Sequence, residues 1–150
     1  MNKGRRIAAL AATTMTFVGM TSMVAAPANA TTTAKGPKPV SILLDTVDAN
    51  DPTFVEVSWT TDKKVCDFKL KVWGTDKVTI KYPESTKTYS SFSQGSKLKP
   101  KQTDYTAFRV TAKYSKDTSV ILPATMSYNY CGKHDKTMSK STGFLLPVNG

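Results

Sequence analysis

From Val40 onward the chain is patterned in twos. Val55, Val57 and Trp59 alternate with Glu56, Ser58 and Thr60, and Phe68, Leu70 and Val72 alternate with Asp67, Lys69, Lys71 and Trp73. Gly74-Thr75-Asp76 offers a turn into Val78, Ile80 and Tyr82, which alternate with Lys77, Thr79 and Lys81. Phe108, Val110, Ala112 and Tyr114 alternate with Ala107, Arg109, Thr111 and Lys113. Successive side chains of a strand point to opposite faces, so each stretch predicts a strand with one buried and one solvated side. Their spacing predicts an all-β sandwich or barrel built from antiparallel strands. No apolar pattern at helical spacing persists for three turns after Pro39, and no internal repeat is present. Residues 31–39, small, polar and proline-containing, read as a flexible leader, which leaves 40–150 for the folded domain.

The first 30 residues follow another rule. Lys3, Arg5 and Arg6 precede an apolar stretch over 7–24, diluted by Thr13, Thr14, Thr16, Gly19, Thr21 and Ser22 and closing on Ala28-Asn29-Ala30. Charged, apolar and small residues in that order make a secretory signal, and the interruptions disfavour a retained membrane helix. Arg5-Arg6 is the only twin-arginine feature, so the general secretory route is favoured. The long Thr- and Ala-rich segment resembles the signals of Gram-positive actinobacteria. Cleavage after Ala30 leaves 120 of 150 residues, room for one core. Those residues hold all 11 acidic and 18 of the 21 basic side chains, a formal charge of +7. This composition disfavours a collagen-like chain, a coiled coil, an acidic disordered tail and a multispan membrane protein. Leu146-Pro147-Val148-Asn149-Gly150 resembles a sortase motif in part, but no apolar span and basic tail accompany it, and a soluble end is expected.

Two segments carry a family resemblance. Val55-Glu56-Val57-Ser58-Trp59 resembles the second strand of a fibronectin type III domain. Leu98-Lys99-Pro100, Tyr105 and Phe108-Arg109-Val110-Thr111-Ala112 resemble that family's Leu-x-Pro segment, corner tyrosine and sixth strand. The resemblance implies an immunoglobulin-like, fibronectin type III-like antiparallel β-sandwich. It further implies a core ring at Trp59 and a Tyr105 hydroxyl bonded to upstream backbone.

Candidate chemistry is sparse. The segment Tyr128-Asn129-Tyr130-Cys131-Gly132-Lys133-His134-Asp135-Lys136-Thr137-Met138 resembles the copper loop of cupredoxins, yet that site needs a second histidine and the chain has one. Asp48-Ala49-Asn50-Asp51-Pro52-Thr53-Phe54 resembles a cadherin calcium linker, and a tight turn explains Asn50-Asp51-Pro52 equally well. Neither a metal nor any other cofactor is expected. The single histidine, the lack of a Gly-x-Ser-x-Gly elbow and only two glutamates, Glu56 and Glu84, favour a protein that is not an enzyme. Cys66 and Cys131 in an exported chain normally pair. Cys66, however, opens the third predicted strand and Cys131 closes the last, which a fibronectin-like topology would hold apart, so either the pair is bridged in another strand order or two thiols remain.

Charge supplies the functional expectation. Of the 18 basic residues after Ala30, only Arg109 is arginine, which favours diffuse attraction over bidentate recognition of phosphate or base. Alternation turns Lys69, Lys71 and Trp73 outward from one strand, Lys77 and Lys81 from the next, and Arg109 and Lys113 from a third. In a fibronectin-like sheet these strands are neighbours and would form one basic plate. The reading is a secreted, non-catalytic protein binding an anionic cell-wall or extracellular polymer through that plate. The alternative is a secreted inhibitor or toxin-like protein docking another protein through its loops. No nucleic-acid recognition motif is present, and no membrane span follows the signal. Mass spectrometry of the secreted protein is expected to find Thr31 at the amino terminus; a mature chain retaining Met1 refutes the export reading.

Overall fold

The alternating stretches form strands, and what alternation leaves open is which strands become neighbours. The computed structural model describes residues 36–150, apart from the side chains of His134 and Asp135. The signal expected over 1–30 and the start of the leader lie outside the described residues. Eight strands occur among the described residues: β1 (Lys38–Pro39), β2 (Val47–Asp48), β3 (Thr53–Thr60), β4 (Val65–Val72), β5 (Val78–Lys81), β6 (Asp104–Ala112), β7 (Thr118–Tyr130) and β8 (Lys133–Asn149). One sheet runs β1-β3-β6-β5 and the other β2-β8-β7-β4. No helix occurs among the described residues. Two four-stranded sheets with this crossing order form an immunoglobulin-like β-sandwich: with the two-residue β2 left out of the count, the first, second, fifth and fourth strands make one layer and the third, sixth and seventh the other.

The inward residues of both layers meet in one core. Val55, Val57 and Trp59 of β3, Phe108 and Val110 of β6, Phe68 and Leu70 of β4, Leu122 and Tyr128 of β7, and Phe144 and Leu146 of β8 are all buried. Trp59 is the central ring, as the resemblance implied: it stands edge-on to Phe68 at 5.1 Å and to Phe144 at 6.3 Å, and its Nε1–H donates to Thr106 Oγ1 at 2.9 Å. Burying an indole is favourable only when that N–H finds an acceptor, and the inward-pointing Thr106 supplies it.

Several expectations need correction. Tyr105 is no corner residue: it lies opposite Ser58 with its ring on the solvent side, because β6 pairs with β3 and sits one place earlier in the sandwich than a sixth fibronectin strand. The sandwich is not wholly antiparallel, since β2 runs parallel to β8. Residues 36–39 do not behave as a free leader. Gly36 N–H donates to Asp62 Oδ1 at 2.7 Å, and Lys38 and Pro39 pair with Thr60 and Trp59. Pro39 fits there because an edge strand tolerates a missing N–H. The segment resembling a sortase motif is part of β8, with Leu146 and Val148 buried.

Cys66 and Cys131 are bridged, with Cα atoms 5.1 Å apart. Strand order removes the apparent conflict. β7 runs antiparallel to β4, so the start of β4 faces the end of β7, and the chain then makes one further strand. Cys131 and Gly132 are the two turn residues between the paired Tyr130 and Lys133, with Gly132 at φ 87°, a conformation that suits glycine. The copper-loop resemblance fails on this point, because the sulfur that would ligate metal is held in the disulfide. Asp48 to Asp51 forms the turn reading instead: Asn50 sits at φ 65° and Asp51 N–H donates to Asp48 O.

Sheet edges expose unpaired backbone, and these sheets handle theirs unequally. β1, β2 and β5 are edges of two, two and four residues. β4 is an edge of eight. The long segment between β5 and β6 crosses from one layer to the other and seals it. Val72 N–H and C=O are both taken by the Tyr82 hydroxyl, at 2.8 and 2.6 Å. Leu70 exchanges two bonds with Ser90, Phe68 N–H reaches Ser96 O while its C=O accepts from Ser91 Oγ, and Val65 exchanges two bonds with Leu98. Every backbone group that these four residues turn to the edge therefore has a partner, which removes a template for edge-to-edge association.

Two outcomes test this construction. The disulfide closes 65 residues, worth about 4 kcal/mol in the loop-entropy account, so reduction is expected to lower Tm markedly; unchanged melting refutes a stabilising bridge. Tyr82→Phe removes both bonds to Val72 and is expected to cost about 1–3 kcal/mol in denaturant unfolding. A loss indistinguishable from zero would mean that solvent serves the edge as well.

A candidate anion-binding groove

The outward face of β4 carries Lys69 and Lys71, two residues apart and therefore on one side of the sheet. Register sets their neighbours. Lys69 lies opposite Ser127, which lies opposite Ser139; Lys71 lies opposite Thr125, which lies opposite Ser141. Two lysines thus border a floor of hydroxyls three strands wide. Trp73 follows on the same edge, its N–H donating to Pro123 O at 2.8 Å, and remains 47% exposed. Tyr89 arrives from the segment that seals the β4 edge. These side chains enclose a shallow depression of about 330 Å³ with Lys69, Lys71, Trp73, Tyr89, Thr125 and Ser127 around it.

Its cations are held in place. Lys71 Nζ lies 4.2 Å from the centre of the Trp73 ring and Lys69 Nζ 5.1 Å from that of Tyr89. Such contacts are worth about 0.5–1 kcal/mol at exposed positions and restrict a side chain that would otherwise roam. An ammonium already positioned loses less freedom when an anion arrives. Asp67, on the same strand, accepts from Asn129 Nδ2 at 3.2 Å.

The seven residues expected on one plate are divided between two. Lys69, Lys71 and Trp73 belong to the sheet of β4, whereas Lys77, Lys81, Arg109 and Lys113 belong to that of β5 and β6, on the opposite side of the sandwich. The single basic plate is therefore corrected: β5 leaves β4 and joins the other layer. Alternation itself holds, with Phe68, Leu70 and Val72 buried and Lys69, Lys71 and Trp73 exposed. On the second face Lys81 lies directly opposite Arg109, and Lys113 N–H donates to Lys77 O. Arg109 rests 5.4 Å from the Phe54 ring and Lys77 5.2 Å from that of Tyr114.

A larger depression of about 610 Å³ lies at the end of the sandwich near the β3–β4 turn, with Lys64, Lys97 and Lys99 around it beside Gln94 and Gln102. None of these residues belongs to the expected plate, because they sit in turns, where period-two reasoning has no purchase. Its carboxylate, Asp104, is consumed locally: it accepts from Ser93 N–H at 3.2 Å, Gln94 N–H at 3.4 Å, Tyr105 N–H at 2.7 Å and the Ser93 hydroxyl. Perturbed ionisable groups gather around Gly36. The Gly36 N–H holds the Asp62 carboxyl below its usual range, while burial pushes the Tyr128 phenol up and the Lys140 ammonium down. Among the described residues no cluster of three metal-ligating side chains occurs. The His134 and Asp135 side chains of the loop resembling cupredoxins lie outside the described residues.

No protein-family profile and no curated protein matches the chain. Among solved structures it is similar to AvmM, which catalyses macrocyclization in alchivemycin A biosynthesis, at 9% identity over 76% of this chain and 88% of that one, with a TM-score of 0.38. It is similar to a family 123 glycoside hydrolase from Clostridium perfringens at 8% identity over 71% of this chain and 23% of that one, TM-score 0.34. It is also similar to PapD-like domain 7 of human CEP192 at 9% identity over 76% and 82%, TM-score 0.36. Likeness at this level carries nothing about activity, and the fold assignment rests on strand order and register.

Proposed function

We propose that this is a secreted, non-catalytic β-sandwich protein that binds an anionic cell-envelope or extracellular polymer in the groove of Lys69, Lys71, Trp73 and Tyr89. One observation carries the reading: two ammonium groups held over two aromatic rings beside rows of Ser and Thr hydroxyls. Lysines supply attraction to carboxylate or phosphate, hydroxyls match those of a sugar or polyol chain, and ring faces accept its less polar side. The bridged cysteines fit an oxidising compartment. Lys77, Lys81, Arg109 and Lys113 are not part of this groove.

The protein-docking alternative finds support on a surface rather than in loops. Ile42, Leu43, Ile121 and Leu145 are exposed on or beside the sheet of β4, with Leu43 bridged to Leu145 and Ile121 opposite it. Grouped apolar side chains of this kind suit a protein partner.

Binding to polygalacturonate, to polyglycerol phosphate and to neutral dextran separates the cases. The parent is expected to bind one or both polyanions weakly, not dextran, with affinity falling steeply as salt rises. Lys69→Gln with Lys71→Gln is expected to lower that affinity about tenfold or more, and Trp73→Ala to lower it without changing the salt slope. Unaltered binding by the double lysine variant overturns the groove and moves attention to the apolar strip.

A further inference from the structure

The groove does not end at Lys69. Lys69 and Tyr89 also border a second depression of about 470 Å³, which continues past Ser91 to Gly95 and Ser96. Gln94 and Lys97, the chain neighbours of those two residues, border the depression at the end of the sandwich together with Lys64 and Lys99. The three hollows follow one line along the sealed edge of β4. Their chemistry changes along it: aromatic rings, hydroxyls and two ammonium groups at the Trp73 end, a middle bordered by Lys69 and by the Asp67 carboxylate that Asn129 bonds, and three ammonium groups with two amides and the Asp104 carboxylate at the Lys64 end. Asp62, in the adjoining turn, is engaged by the Gly36 N–H, and Asp104 by its four donors.

We infer that this line is one extended binding track, and that its ligand is a linear polysaccharide bearing anionic groups at intervals, rather than a single sugar or a lone anion. The inference rests on the groove proposed above and extends it to Lys64, Lys97 and Lys99. Lys64 and Trp73 flank β4 nine residue steps apart, at most about 30 Å at the rise of an extended chain, and less by the bulge between Cys66 and Lys69. A ligand shorter than this occupies the ring-lined end alone. A longer one reaches the second lysine cluster without a new loss of translational freedom, so its affinity rises through linkage of two weak sites.

Size-graded oligogalacturonates test the track, with emission of the half-exposed Trp73 as the readout and single-stranded oligothymidylate as a competitor. Short oligomers are expected to bind weakly, and affinity to rise about tenfold or more as length passes the span of the track, then level off. Lys64→Gln, Lys97→Gln and Lys99→Gln combined are expected to remove the gain with length while leaving short-oligomer binding as in the parent. A gain that survives this triple variant overturns the track but leaves the groove standing. Failure of every oligomer to bind overturns the track, and overturns the groove as well where polyglycerol phosphate also fails to bind. Tighter binding of the oligothymidylate than of the longest oligogalacturonate overturns the assignment to polysaccharide.

Discussion

Everything distinctive about this sandwich depends on satisfying one long edge. β4 has a neighbour on one side only, and its other side carries backbone donors and acceptors that would recruit another strand. The chain answers with the segment between β5 and β6, too long to be a mere connection. It spends a tyrosine hydroxyl on Val72 and main-chain groups on Leu70, Phe68 and Val65. Placing backbone there also places side chains there. Tyr89 comes to rest beside Lys69, and Lys97 and Lys99 come to rest beside Lys64. The solution to an association problem thus also sets aromatic rings, hydroxyls and ammonium groups along β4.

Much of the fold is readable from period two. Val55 to Trp59, Phe68 to Val72 and Phe108 to Val110 point where alternation sends them, because a half-buried strand permits no other arrangement. Partner choice is not readable in this way. Whether the strand after Gly74 pairs with β4 or crosses to the other layer depends on the course of the chain after Trp73, and no side-chain period encodes that. β8 is obscured for a different reason: Lys140 lies between Ser139 and Ser141, so the middle of a long inner-layer strand reads as loop.

The groove was half legible for related reasons. Lys69, Lys71 and Trp73 sit on a strand and their shared face follows from spacing. Thr125 and Ser127 join them only through register, and Tyr89 only through the sealing segment. Turn lysines such as Lys64, Lys97 and Lys99 are the hardest to foresee, since nothing local relates residues more than thirty positions apart. Dividing the cations between two faces also eases a cost the single plate would have carried, because like charges on adjacent strands repel by a few tenths of a kcal/mol per pair. One such pair, Lys81 and Arg109, persists, with the guanidinium resting over the Phe54 ring.

The parallel pairing of β2 with β8 has a consequence in time. Among the described residues β2 pairs with the strand that follows it by about a hundred residues, where Val47 lies beside Val148 and Asn149 Nδ2 reaches Asp48. Contacts so distant in sequence reward the chain only after a large loop has closed, which makes folding slow. Until β8 is available, Leu122 and Tyr128 lack the neighbours that bury them, and half the sandwich stays open. Docking of β8 is therefore the step that closes the second layer.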